Sequence, residues 1–197
     1  MLKRRDLRKI ADIIKPKSRV LDLGCGDGTL LSELINEKQV TGLGIEISLE
    51  RIKKCLERGI SVVQEDLNEG LKDFQDKSFD YVVLSQTLED ISKPVYLIHE
   101  MLRVGKKCII SFENFAYWKN RISFLISGYV HRGEIKSDLL RDGEKQQILT
   151  VNKFYKFCSN YKFTVCKQIF LPNGKLSLTY KFPNFYCKTA IFILKGD

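Results

Sequence analysis

Residues 19–28 read Arg19-Val20-Leu21-Asp22-Leu23-Gly24-Cys25-Gly26-Asp27-Gly28, and their order decides the fold. Val20, Leu21 and Leu23 make an apolar strand pattern that runs into three alternating glycines. A helix-like segment, Leu30-Leu31-Ser32-Glu33-Leu34-Ile35, follows at once. A strand, a glycine turn and a helix start form the part of an α/β fold that receives a nucleotide-like ligand. Glycine suits the turn because it tolerates positive φ and lets a ligand approach the backbone without meeting a side chain. The spacing departs from the dinucleotide fingerprint, whose third glycine falls one position later, where Thr29 stands.

The next strand pattern, Val40-Thr41-Gly42-Leu43-Gly44-Ile45-Glu46, ends in a carboxylate about twenty residues beyond the loop. A carboxylate there can accept hydrogen bonds from both hydroxyls of a ribose. That feature fits NAD and S-adenosylmethionine (SAM) equally, and the glycine spacing separates them. The Asp-x-Gly-x-Gly-x-Gly run resembles the first motif of class I SAM methyltransferases.

The rest of the chain bounds this reading. At 197 residues it is one domain in expectation, long enough to bury roughly 70% of its unfolded surface. No apolar run approaches the ~20 residues that span a bilayer. The start, Met1-Leu2-Lys3-Arg4-Arg5-Asp6, lacks the apolar core of a signal peptide, so a cytoplasmic location is expected. Six cysteines are scattered, with no Cys-x-x-Cys pair and only two histidines, which argues against a disulfide framework or a zinc site. The net charge of +9 invites a nucleic-acid partner, but the lysines are spread and no arginine-rich arm or basic-aromatic signature exists. A solvated basic surface is the favoured reading, and nucleic acid is not an expected partner.

Strand and helix patterns alternate through the first two-thirds, as in a parallel sheet covered on both faces. Helices are expected at 5–14, from Ser48 as cap to Arg58 with Gly59 closing, at 93–103, 115–126 and 151–161. Strands are expected at 60–64, 79–84, 107–112, 163–171 and 190–194. Residues 127–147 read as polar and irregular. The expected fold class is α/β: a Rossmann-like class I SAM methyltransferase fold with a mostly parallel seven-stranded sheet, helices on both faces and a final antiparallel hairpin. Within a single domain, 1–125 would form the SAM-binding core and 126–197 a variable part.

Ligands in such a sheet sit beyond the carboxyl ends of the strands, where strand order reverses. The residues at those ends are Asp22, Gly24, Cys25, Gly26, Gly28, Glu46, Asp66, Leu67 and Ser85. The SAM resemblance implies that Glu46 holds the ribose and that Asp66-Leu67 meets the adenine, with Asp66 accepting from its exocyclic amine. It places Asp22 and the backbone around Gly24 at the methionine moiety, with Ser85-Gln86 lining the same end. Cys25 reads as a small residue within the loop. No catalytic residue emerges, because a sulfonium already activates its methyl group and the protein has chiefly to align the nucleophile. Asn114-Phe115-Ala116-Tyr117 is similar to the Asn/Asp-Pro-Pro-Tyr motif of nucleic-acid methyltransferases. It lacks both prolines and follows the wrong strand, so it is set aside. His99 reads as a helix-face residue, and His131 falls in the irregular stretch.

Several stretches together resemble the MetW family of methionine-biosynthesis proteins. They are the glycine loop, Gly44-Ile45-Glu46-Ile47, Gln64-Glu65-Asp66-Leu67-Asn68-Glu69-Gly70-Leu71, Phe79 through Leu88, Glu100 through Gly105, and Ser111 through Phe115 with Trp118. The resemblance runs over residues 5–125. Beyond it, Lys145 through Thr150 lacks the histidine usual in that family. It implies a SAM-binding protein that supports methionine synthesis alongside homoserine O-acetyltransferase, either as an accessory subunit or as a methyltransferase. The alternative is an independent SAM-dependent small-molecule methyltransferase.

Overall fold

The computed structural model describes residues 2–128, 147–172 and 179–196. The element order is α1 (Arg5–Ile13), β1 (Arg19–Leu23), α2 (Thr29–Lys38), β2 (Thr41–Glu46), α3 (Leu49–Glu57), β3 (Val62–Gln64), β4 (Phe79–Ser85) and α4 (Pro94–Val104). There follow β5 (Gly105–Glu113), α5 (Trp118–Ser127), α6 (Val151–Asn160), β6 (Thr164–Pro172), the short α7 (Pro183–Tyr186) and β7 (Cys187–Lys195). The seven strands form one sheet in the order β3-β2-β1-β4-β5-β7-β6. The first five pair in parallel, and β7 runs antiparallel to both β5 and β6. This is the expected architecture.

Alternation along the strands sorts side chains onto two faces. Leu21, Leu23, Val82, Leu84, Cys108 and Ile110 face α4 and α6, and the buried Phe112, Phe154 and Phe192 stack among them. Val20, Tyr81, Val83, Ile109 and Ile191 face α1 and α2. Asp22, Ser85 and Ser111 share the parity of Val20, Val83 and Ile109, so they lie on the α1 side at the carboxyl ends of β1, β4 and β5. Strand order reverses between β1 and β4, which puts these polar residues at the ligand-receiving crevice.

Several local details differ from expectation. Ser48 stands at the N-cap of α3, but its hydroxyl makes no capping bond; its N–H instead donates to Glu46 Oε1. Gly59 does close that helix, with φ of 70°. β7 starts at Cys187 rather than 190, because the Pro183 turn of α7 ends there. α5 begins at Trp118, not 115, since Asn114 ties the preceding turn through its side chain to the N–H of Ala116. α5 buries none of its residues, and Leu125 and Ile126 are 85% and 81% exposed. Of the stretch read as irregular, 129–146, with His131 and the Lys145-Gln146 pair, lies outside the described residues.

Candidate functional site

The glycine loop turns sharply between β1 and α2, with Gly24, Gly26 and Gly28 at φ of 65°, 60° and 73°. Such angles strain any residue with a Cβ. Packing adds a second constraint at two of them. A Cβ on Gly24 would lie 2.8 Å from Thr87 Oγ1, and one on Gly28 would lie 3.1 Å from Cys55 Sγ. A Cβ on Gly26 would meet nothing within 4 Å, so Gly26 presents bare backbone to open space. That is the cradle a ligand needs for close approach.

Glu46, at the end of β2, is 4% exposed and bound to the loop. Its Oε2 accepts from the N–H of Gly26 at 2.9 Å, and its Oε1 accepts from the N–H groups of Ile47 and Ser48, both at 3.0 Å. Two donors fill Oε1. Oε2 carries one donor, with the Arg51 guanidinium 3.8 Å away, and keeps a lone pair for a ligand hydroxyl.

Asp22 is 3% exposed, and none of the described groups donates a hydrogen bond to it. Burial pushes its carboxyl up to about 7; the charge of Arg4 opposes that shift and the charge of Glu46 adds to it. A carboxyl poised this way gains most from a cation brought beside it.

The remaining residues expected at the strand ends divide. Asp66 is exposed and caps a short turn, its Oδ1 accepting from the N–H and Nδ2 of Asn68, each at 2.9 Å. Leu67 is buried beside it. Cys25 turns its thiol inward, 3.8 Å from Cys55 Sγ and against Gly44, so only its backbone faces the loop. Ser85 is engaged by protein groups: its hydroxyl donates to Asp6 Oδ2 at 3.2 Å, contacts Ser111 Oγ at 3.0 Å and accepts from Arg4 Nη2 at 2.8 Å. Gln86 takes a φ of 54° and donates its N–H to Ser111 O. His99 is exposed and packs edge-on to Phe163, away from the strand ends.

Sequence reasoning missed Arg4, Asp6 and Ser111. Asp6, in the first turn of α1, is buried, and its Oδ2 accepts from Ser111 Oγ at 3.1 Å. Burial would raise its pKa, but the hydrogen bonds and charge of Arg4, with the two serine hydroxyls, hold it below its ordinary value. The one local signal was an acidic residue in the first turn of an amphipathic helix, which reads as a dipole effect. Among the described residues no group of three His, Cys, Asp or Glu is placed to hold a metal ion. None of the described helices is long and apolar enough to cross a membrane.

The family model described as "Methionine biosynthesis protein MetW" matches residues 4–194, well past the stretch whose motifs carried the resemblance. The chain is 42% identical over 131 residues to the bifunctional methionine biosynthesis protein MetXA/MetW of Rhodopirellula baltica. That match covers 62% of this chain and 21% of the relative. It is 35% identical over 97 residues to the ubiquinone biosynthesis O-methyltransferase of Hahella chejuensis, covering 46% of this chain and 40% of that one. Its matched segments thus span less than half the length of these relatives. In fold, a SAM dependent methyltransferase from Archaeoglobus fulgidus superposes with a TM-score of 0.69 at 22% identity, over 97% of this chain and 91% of that one.

Proposed function

This chain belongs to the MetW family of methionine biosynthesis proteins, and from that premise we propose that it binds SAM and acts with homoserine O-acetyltransferase. The observation that carries SAM binding is the Gly26–Glu46 unit: bare backbone beside a buried carboxylate with a lone pair to spare. In this reading Glu46 Oε2 takes a ribose hydroxyl, and the loop backbone admits the ligand's chain. Asp66 Oδ2 is left for the adenine amine while Oδ1 caps its turn. Asp22 meets the amino-acid end. SAM brings an activated methyl group, and the chain's residues bind and orient it.

The fusion in the Rhodopirellula relative supports a partner. One polypeptide there carries both names, and separate chains that act together are the natural counterpart of such a fusion. The apolar side chains exposed on α5 offer surface of the kind a protein partner covers. SAM is the downstream product of methionine, so SAM binding here would report pathway output to an early enzyme. Such coupling needs SAM to favour either the associated or the free state. The test is co-purification with the homoserine O-acetyltransferase of the same genome, with acyl-transfer rates measured with and without SAM. A complex whose rate shifts with SAM supports the reading. No complex and no change in rate overturns the partnership.

A second reading, an independent small-molecule methyltransferase, is favoured by the likeness to the Hahella O-methyltransferase. Transfer of label from SAM into a metabolite of a cell extract would establish it, and Glu46→Ala should abolish that transfer.

A further inference from the structure

Helix α5 carries an apolar stripe and turns it outward. Trp118, Ile122, Leu125 and Ile126 stand at i, i+4, i+7 and i+8, the spacing of one helix face. On a surface helix such a face ordinarily lies against the core. Here α5 buries none of its residues, and Ile122, Leu125 and Ile126 are 46%, 85% and 81% exposed. The opposite face carries Asn120 and Ser127, which donate to carbonyls of their own segment, Phe115 O and Ser123 O.

The apolar surface continues onto α7. Arg121, one turn before Leu125, lays its guanidinium over the Phe185 ring at 5.3 Å, which sets the two helices side by side. Phe185 is 40% exposed, and Phe182, at the start of α7, is 53% exposed. Single exposed apolar side chains are ordinary on a protein surface, whereas a contiguous group of large ones marks a contact site.

Charge decides what covers it. Residues 115–128 and 179–186 hold Lys119, Arg121 and Lys181 and no Asp or Glu. A second copy docking here by two-fold symmetry would set the same three cations against each other. A protein whose apolar patch is rimmed by carboxylates satisfies both the stripe and the charge. The Rhodopirellula relative, one polypeptide under the joint name MetXA/MetW, points to a protein rather than a lipid surface as the occupant.

We propose that the α5–α7 face is where homoserine O-acetyltransferase docks, through an apolar patch on that enzyme bordered by Asp and Glu side chains. The stripe supplies the buried centre of the contact, and Lys119 and Lys181 supply its charged rim. The inference rests on the partnership proposed above and adds to it the face, the anchors and the sign of the charge.

Biolayer interferometry on the full chain tests it, with the homoserine O-acetyltransferase of the same genome and with and without SAM. Leu125→Glu sets a charge at the centre of the stripe, at a position exposed enough to keep the native melting temperature. It should weaken the complex roughly 30-fold or more, the loss expected for a central anchor. Lys119→Glu combined with Lys181→Glu should slow association and weaken the complex roughly tenfold at low salt, with the gap closing at high salt. Leu56→Glu, at an apolar side chain 60% exposed on α3, should bind as wild type does.

If wild type forms no complex, the partnership itself falls, and this face with it. A complex that Leu125→Glu leaves intact overturns the face alone, as does one that ignores the lysine pair at low salt. Sedimentation of wild type alone and with phosphatidylglycerol vesicles covers the other occupants. A dimer or vesicle binding that Leu125→Glu abolishes, while the acetyltransferase still binds that variant, gives the stripe to a second copy or an anionic membrane and overturns the proposal.

Discussion

The N–H of Gly26 donates to Oε2 of Glu46 at 2.9 Å, which makes the glycine loop and the end of β2 one unit. A change at Glu46 must therefore disturb both the ribose acceptor and the loop. Glu46→Gln would set an amide N–H₂ against backbone donors from Gly26 or from Ile47 and Ser48. It is expected to weaken S-adenosylhomocysteine and methylthioadenosine alike, by roughly tenfold or more. Calorimetry with both ligands checks this, and a loss shared by the two points to the ribose they have in common.

Asp22 gives the stability a definite pH slope. Its carboxyl is raised from 3.8 to about 7 in the folded chain, chiefly by burial. The folded state then holds its proton more tightly than the unfolded state does. The stability this contributes is complete below about pH 4 and is lost as pH rises through 7. Asp22→Asn removes the ionisation. It should melt about 3 °C or more above wild type at pH 8, with the difference closing by pH 4. Thermal unfolding at the two pH values is the measurement, and a gap that widens toward acid would contradict the assignment.

Asn114 is a fully satisfied buried amide. Its Nδ2 donates to the carbonyls of Asn184 and Cys187, and its Oδ1 accepts from the N–H groups of Ala116 and Val151. It joins the end of β5 to α6 and to the turn before β7. Asn114→Asp should destabilise about as much as Asn114→Ala, by ~3 kcal/mol, because an acid at Nδ2 would face two carbonyls. Urea unfolding of both variants tests this. A harmless Asn114→Asp would mean that these hydrogen bonds do not hold β5 to α6.

What was legible in sequence follows from how far each interaction reaches. The loop glycines and Glu46 could be read because their chemistry is written within one βαβ unit. The sheet order could not, since β6 and β7 pair by contacts that apolar patterning does not specify. Asn114 resembles a substrate motif in sequence; apart from Ala116, its partners lie 37 to 73 residues away, so its clip role has no local signal. The Arg4–Asp6 pair reaches Ser85 and Ser111 across 79 and 105 residues, a meeting that only the packing of α1 on the sheet creates. Cys25 was placed in the loop by position alone, and the inward turn of its thiol toward Cys55 depends on α3.

The Arg-Val-Gly stretch, distinctive in the sequence, is a structural joint. Arg103 uses every donor of its guanidinium: Nε and Nη2 grip Glu100 at 2.8 Å each, Nη1 reaches Asp76 at 2.7 Å, and the carbonyls of Phe74 and Leu71 take the rest at 2.8 Å. These contacts fasten the connection before β4 to α4. Gly105 lets the chain pass β4 closely, since a Cβ there would lie 2.6 Å from Val82 Cγ2. An ammonium has three donors and no fork, so Arg103→Lys cannot replace the set. With Arg103 30% exposed, solvent screens part of the loss, and a cost of about 1–3 kcal/mol is expected. The hydrogen bonds from Arg103 hold Glu100 below the ordinary carboxylate range, so wild type should also lose stability as acid protonates that carboxylate. Urea unfolding at pH 7 and pH 4 should show the gap between Arg103→Lys and wild type narrowing in acid. Affinity for S-adenosylhomocysteine should be unchanged in the folded variant, because Arg103 lies at the opposite end of β4 from Ser85. A variant with native stability and weakened ligand binding would reverse that assignment and move Arg103 into the site.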